Sequence, residues 1–215
     1  MKIIRFNLSG KWDDFDNEII QEAVDVIKKG GSIVYPTDTV YGLGVNALNR
    51  YSIERLFSIK KRPETKPVPV MIKDIEMAKK LAFVDKKTEK IMESVWPGPV
   101  TIILQKRQIV PDILTANQKT IGLRIPDCQF TQFLLEKLED PITATSANLS
   151  GEPSLGSSFE IIRIFEKIYP KPDLILDAGE LPPSPPSTVL DLTSSNPKIT
   201  RVGPVSKKDL LDMFK

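Results

Sequence analysis

The 215-residue chain contains no histidine. That absence removes Ser-His-Asp and Cys-His nucleophilic sites, HExxH zinc sites and every imidazole general base. Any chemistry must run on carboxylates, lysines, hydroxyls, backbone N–H groups or the reactants themselves. Cys128 is the single cysteine, which excludes an internal disulfide and a cysteine metal cage. No apolar run approaches the roughly 20 residues of a membrane-spanning helix. Met1-Lys2-Ile3-Ile4-Arg5-Phe6 lacks the apolar segment of a secretion signal and reads as a first strand, so the expected location is cytoplasmic. Neither sign of charge dominates. Thirty Lys and Arg stand against 28 Asp and Glu, a net charge of +2, too little for a general nucleic-acid surface. A basic function must therefore be local.

What the chain does have is 18 prolines and 11 glycines spread along its length, which implies short strands and tight loops and argues against a helical bundle. Asp16 or Asn17 caps an amphipathic helix with Ile19, Ile20, Ala23, Val24 and Ile27 on one face, ended by Gly30 or Gly31. Ser52 is expected to cap a helix from Ile53 to about Lys61, and residues 74–80, 85–95, 127–138, 157–168 and 206–214 also read as helical. Strands are expected at 33–35, 68–72 (edge-like, with Pro69), 100–104, 120–126, 141–145, 173–177, 187–192 and 198–201. Residues 105–119 are polar and irregular, and 181–186, with four prolines, form a stiff loop. No repeat or linker divides the chain. The pattern predicts one α/β domain over residues 1–215 with a mixed sheet.

The organising stretch is Gly31-Ser32-Ile33-Val34-Tyr35-Pro36-Thr37-Asp38-Thr39-Val40-Tyr41-Gly42-Leu43-Gly44. A β-branched run stops at proline and is followed by two threonines around an aspartate. Gly42 and Gly44 read here as glycines that let the backbone approach a ligand, and ligands of open α/β sheets sit beyond strand carboxyl ends. Gly42-x-Gly44 is neither a P-loop nor a full dinucleotide signature. A basic knot, Lys60, Lys61, Arg62 and Lys66, is pinned by Pro63 and Pro67. It reads either as a helix end answering its dipole or as a pre-organised polyphosphate clamp. Arg124 alternates with Ile121, Leu123 and Ile125 and stands beside Gly122. On a covered sheet face such a charge is either internally paired or turned to a ligand. Ser146 and Asn148 end another strand, and Ser187-Thr188 enter a third. Three hydroxyl-bearing strand ends point to one shared crevice.

Together with Trp96-Pro97-Gly98-Pro99, Leu123-Arg124-Ile125-Pro126, Thr145-Ser146-Ala147-Asn148-Leu149-Ser150-Gly151 and Ser187-Thr188-Val189-Leu190-Asp191, these stretches resemble the YrdC family, the L-threonylcarbamoyladenylate synthases, from about residue 15 to 204. The resemblance implies a twisted open mixed sheet with flanking helices around a large electropositive cavity. It implies that L-threonine, bicarbonate or CO₂, and ATP become threonylcarbamoyl-AMP and pyrophosphate, with Mg²⁺ accompanying ATP and no organic cofactor. The product would pass to a separate threonylcarbamoyl transferase that modifies tRNA. By position, Thr37, Arg124 (on the carboxylate), Ala144 (through its backbone) and Ser187 look like threonine contacts. Lys60, Arg62, Thr120, Ser146, Asn148, Ser154 and Arg201 look like ATP contacts, with Lys60 and Arg62 the catalytic cations and no protein metal ligand assigned.

Two departures stand out. Met71 occupies a position where some members carry a threonine-contacting histidine, and the common Arg-Pro-Gly is Arg201-Val202-Gly203. Longer members carry an appended C-terminal domain, so a chain ending at Lys215 reads as the short form. A related branch lacks the Ser-x-Asn element that Ser146 and Asn148 supply here.

Such a reaction suits a site without histidine. A carbamate made from the threonine amine and CO₂ is already a nucleophile, and its attack on the α-phosphorus is catalysed by alignment and charge neutralisation. Two other classes compete: a non-catalytic RNA-binding module built on the basic knot, and a domain forming carbamoyl-adenylate for another acceptor. A weak RNA contact is compatible with the synthase reading, and a membrane partner is not expected.

Overall fold

The computed structural model describes residues 1–8, 14–194 and 196–213. Within them the chain runs β1 (Lys2–Arg5), α1 (Asp14–Lys28), β2 (Ile33–Tyr35), β3 (Gly42–Gly44), α2 (Arg50–Lys60), β4 (Val70–Met71), α3 (Ile75–Leu81) and α4 (Lys86–Val95). It continues through β5 (Val100–Gln105), β6 (Thr120–Arg124), α5 (Gln129–Leu138), β7 (Ile142–Thr143), β8 (Thr145–Ser146), α6 (Ser158–Phe165), β9 (Leu174–Asp177), β10 (Thr188–Asp191), β11 (Lys198–Arg201) and α7 (Lys207–Met213). The α/β reading holds, but the strands form two mixed sheets, ordered β1-β9-β2-β3-β8 and β11-β10-β5-β6-β4-β7.

The two sheets part at Ala144. The sequence reads 141–145 as one strand; instead β7 pairs with β4 in the larger sheet and β8 pairs with β3 in the smaller. Ala144 lies between them, its N–H donated to the Pro69 carbonyl at 2.7 Å. β4 is likewise no edge strand: it lies between β6 and β7, despite Pro69 just before it.

The smaller sheet is covered on both faces, as period-two alternation requires. Ile33, Tyr35, Leu174 and Leu176 pack with the apolar faces of α1 and α5, while Val34 and Ile175 join the cluster on the other side. Ile19, Ile20, Ala23, Val24 and Ile27 of α1 are all at most 2% exposed. Burying each larger apolar side chain of that face contributes roughly 1.5–3 kcal/mol against the entropy of ordering it. Gly30, at φ +80°, closes α1 in the left-handed conformation that suits glycine. α1 begins at Asp14, two residues before the expected cap.

Asn49, not Ser52, caps α2. Its side chain accepts from the Ser52 N–H, and the Ser52 hydroxyl is turned to the Gly30 carbonyl. Residues 106–119 fold back so that the Lys106 N–H reaches the Lys119 carbonyl, and Val110 and Leu114 are buried under them. Among the described residues no helix is long and apolar enough to cross a membrane.

Candidate active site

Where the sheets part, the Pro36–Tyr41 turn, β4, β6, Ala144, β8 and the entry to β10 surround a cavity of about 200 Å³. Three guanidinium groups, Arg62, Arg124 and Arg201, line it together with the hydroxyls of Thr37, Thr39, Ser146, Ser154 and Ser187, and the lining contains no carboxylate. A second cavity of about 240 Å³ adjoins it, sharing Arg62, Pro69 and Arg201. Its wall is more apolar, with Val68, Ile103, Ile121 and Val189 beside Thr101, Thr115, Gln118 and Thr120.

The three arginines reach the cavity for different reasons. Arg124 stands on the interior strand β6 and is 4% exposed. Its Nε donates to the Gly98 carbonyl at 2.9 Å, its NH1 to Thr39 Oγ1 at 3.2 Å and its NH2 to Asp38 Oδ1 at 2.5 Å. The Trp96-Pro97-Gly98-Pro99 turn is thus the anchor of this guanidinium. Asp38 answers its charge, so both readings of Arg124 hold at once: it is internally paired and it lines the cavity.

Arg201 donates from Nε to the Ser187 carbonyl at 2.9 Å and from NH2 to Ser187 Oγ at 3.1 Å. Ser187 Oγ is also 2.8 Å from Thr101 Oγ1. Burial, with the Arg124 charge adding to it, lowers the Arg201 pKa from its usual range. Gly203 is required two residues on, because a Cβ there would lie 2.2 Å from the Pro186 carbonyl oxygen. The Val202 departure therefore leaves Arg201 in place.

The basic knot does not act as one clamp. The C-terminal cap of α2 places Lys61 in the left-handed conformation at φ 51°, and this turn separates the three successive cations. Lys61 is directed outward, its Nζ on the Tyr169 carbonyl at 2.7 Å. Arg62 enters the cavity, held by the Lys66 and Pro67 carbonyls, and burial lowers its pKa. Lys60 is directed inward and is 1% exposed. Its three N–H groups are matched by three acceptors: Ser146 O at 2.5 Å, Asn148 O at 2.8 Å and Asn148 Oδ1 at 3.1 Å. Burial, with the Arg62 charge second, pulls its pKa down to about 7.

Lys60 and Asn148 lie outside the lining of both cavities. The Ser146 hydroxyl donates to Asn148 Oδ1 at 2.5 Å and Asn148 Nδ2 to the Glu152 carbonyl at 2.5 Å. At this corner the Lys60 donors close on the Ser146–Asn148 turn, while Ser146 itself lines the first cavity. Thr120 lines the second cavity and Ser154 the first.

Thr37, Ala144 and Ser187 do line the first cavity, and so does Met71. The Thr37 hydroxyl donates to the Val40 carbonyl at 2.8 Å and accepts from the Thr39 N–H at 3.1 Å. Its one proton is then committed, so in the 3.1 Å contact between the two hydroxyls Thr39 is the donor. These bonds make Thr37 the brace of the turn while it lines the cavity.

Gly42 and Gly44 are strand residues of β3. A Cβ on either would come within 2.8 Å of the Tyr35 ring. They make room for that ring, whose hydroxyl reaches the Thr143 carbonyl at 2.9 Å; Gly42 also lines the first cavity, and Gly44 does not. Gly122 similarly sits within 3.2 Å (from its Cβ position) of Pro69 and Thr101, although it also borders the second cavity.

Sequence reasoning gave no separate role to Asp38 or Thr39 and missed the apolar second cavity. Arg124 carried the signal for the first two, since a buried guanidinium needs a counter-charge and acceptors. The second cavity is assembled from five separate segments and leaves no local pattern.

Comparison with known proteins agrees with this architecture. A sequence profile of the Sua5/YciO/YrdC family, described as telomere recombination, matches residues 25–203. The threonylcarbamoyl-AMP synthase of Pyrococcus abyssi is 37% identical over 86% of this chain and 54% of its own length, so the chain spans about half of that relative. The uncharacterized protein YciO of Escherichia coli is 35% identical over 89% of this chain and 92% of its own. The crystal structure of P. abyssi Sua5 complexed with L-threonine superposes with a TM-score of 0.90 at 33% identity, covering 99% of this chain and 61% of that one. The chain belongs to the Sua5/YciO/YrdC family.

Proposed function

We propose that this chain makes threonylcarbamoyl-AMP and pyrophosphate from L-threonine, bicarbonate or CO₂, and ATP. The observation that carries the reading is the pair of adjoining cavities. One is polar, with a buried guanidinium suited to a carboxylate; the other is walled by apolar side chains suited to a nucleobase. Arg62 and Arg201 stand on their common border. An amino-acid carbamate in the first and a nucleoside in the second would meet at phosphate, between two cations. The similarity to an L-threonine-binding relative supports threonine in the first cavity.

The chain's own part is to bind and align. Arg124 takes the threonine carboxylate, with Ala144 and Ser187 completing its side of the cavity. Arg62 and Arg201 neutralise phosphate charge as it develops, and Thr120 borders the base. In-line attack of a carbamate oxygen then needs no enzyme nucleophile. In this reading Mg²⁺ enters with ATP as part of the substrate. Residues 1–215 act as one unit in this reading. The product is consumed by a separate transferase acting on tRNA, and a cytoplasmic location fits that use.

The test is pyrophosphate release from ATP by the purified chain. It should require both L-threonine and bicarbonate and be cut at least tenfold by Arg62→Ala through a higher ATP KM. ATP turnover with carbamoyl phosphate and no need for threonine would move the chain to the carbamoyl-adenylate class. Tight RNA binding without turnover would make it a binding module.

A further inference from the structure

We propose that Thr101 is a positioning residue for the reaction, fixing the Ser187 hydroxyl as a hydrogen-bond donor toward the first cavity. The inference rests on the function proposed above. β5 and β10 run parallel with Thr101 opposite Val189. Ser187 stands two residues before Val189, so its side chain and that of Thr101 leave the same face of the sheet. Their hydroxyl oxygens meet at 2.8 Å, and the two residues are only 5% and 6% exposed. The backbone beside them is held as well, because the Thr188 N–H donates to the Pro99 carbonyl at 2.9 Å.

Counting protons gives this contact a direction. A hydroxyl has one proton and two lone pairs. One lone pair of Ser187 Oγ takes the Arg201 NH2 donor at 3.1 Å. Among the described residues Thr101 Oγ1 has no hydrogen-bond partner besides Ser187. Were Thr101 the acceptor, its own proton would be left unpaired at a buried position, which is costly. Thr101 therefore donates. Both lone pairs of Ser187 Oγ are then filled, and its proton is left for the first cavity, which Ser187 lines. Ser187 can thus meet an oxygen of the amino-acid substrate and cannot receive its amine. Of the two adjoining cavities Thr101 lines the second, Ser187 the first and Arg201 both, so this chain of contacts spans the partition between them.

The test is initial-rate pyrophosphate release by the full chain, with L-threonine and ATP varied in turn. Thr101→Val keeps the side-chain shape and removes the hydroxyl. It should raise the L-threonine KM about three- to tenfold, the range for one hydrogen bond. The ATP KM should stay nearly unchanged, because Arg201 keeps its bond to the Ser187 carbonyl at 2.9 Å. Thr101→Ser should restore the wild-type L-threonine KM. On a Ser187→Ala background Thr101→Val should add nothing, the non-additivity expected of residues that act through one contact. Thr101→Ala serves if Thr101→Val fails to fold. An unchanged L-threonine KM overturns the proposal, as does a rise that persists on the Ser187→Ala background. A rise in the ATP KM alone overturns it too, since Thr101 would then touch the nucleotide, and equal rises in both reduce it to a structural residue. In each of those cases wild-type turnover leaves the proposed function standing. A wild type that releases no pyrophosphate with L-threonine overturns both.

Discussion

Two corners of the cavity use buried cations in opposite ways. At the Arg124 corner the charge is answered by one carboxylate oxygen and two neutral acceptors, yet the guanidinium remains part of the cavity wall. At the Lys60 corner the ammonium is covered, and all three N–H groups close on the Ser146–Asn148 turn. The difference follows from donor geometry. A guanidinium has five N–H groups in a planar fork and can serve its scaffold and a ligand together, whereas an ammonium has three and is used up. A charged residue near a site is therefore informative only after its donors have been counted.

The comparison can be broken by substitution, and the largest effect is expected at Arg124. Arg124→Leu leaves Asp38 buried without its counter-charge, which costs about 3–5 kcal/mol of stability. It should raise the threonine KM far more than the ATP KM. Urea unfolding and initial-rate kinetics read the two effects, and equal KM changes would take Arg124 out of the carboxylate role.

Lys60→Met should cost about 2–3 kcal/mol by orphaning buried loop oxygens, with both KM values changed together as the 146–148 turn loosens. A selective loss of ATP affinity at unchanged stability would instead return Lys60 to phosphate contact. The same variant sharpens the pH dependence. Burial holds the Lys60 pKa near 7 in the folded chain, below its unfolded value. Between those two values the unfolded chain binds the extra proton, so the Lys60 contribution to stability rises with pH across that window. Lys60→Met should flatten that part of the stability profile, and an unchanged slope would show that the ammonium stays charged throughout.

The smallest change concerns the glycines. Gly42→Ala presses a methyl against the Tyr35 ring and should lower stability by about 1–3 kcal/mol, as overpacking does. The paired change with Tyr35→Phe would not relieve it, because the ring itself is the obstacle.

Much of the scaffold was legible. The apolar face of α1, the helices expected over 74–80 and 85–95, and the strand character of 33–35 and 100–104 all follow from local periodicity, and the structure adds Asp74 and Asp85 as the caps of α3 and α4. The cap of α2 was misplaced by three residues because Asn49 and Ser52 are both good caps and only tertiary contact with Gly30 separates them. In the site, Arg62, Arg124, Thr37, Ser146 and Ser187 do meet around one cavity, and Ser154 and Arg201 join them. Their order along the chain showed that they could be parts of one motif set. It did not show which donors were already spent.

By itself the sequence determined the class of chemistry: without histidine, and with cations and hydroxyls at strand ends, the chain can align and neutralise but offers no imidazole base. The tertiary structure alone decided which cation faces the cavity, which hydroxyls are already hydrogen-bonded, and that Gly42 and Gly44 face the Tyr35 ring. The physical reason is that hydrogen-bond saturation and steric room depend on neighbours distant along the chain, such as Asp38 for Arg124, Ser146 for Lys60 and Thr143 for Tyr35, and no local pattern encodes them.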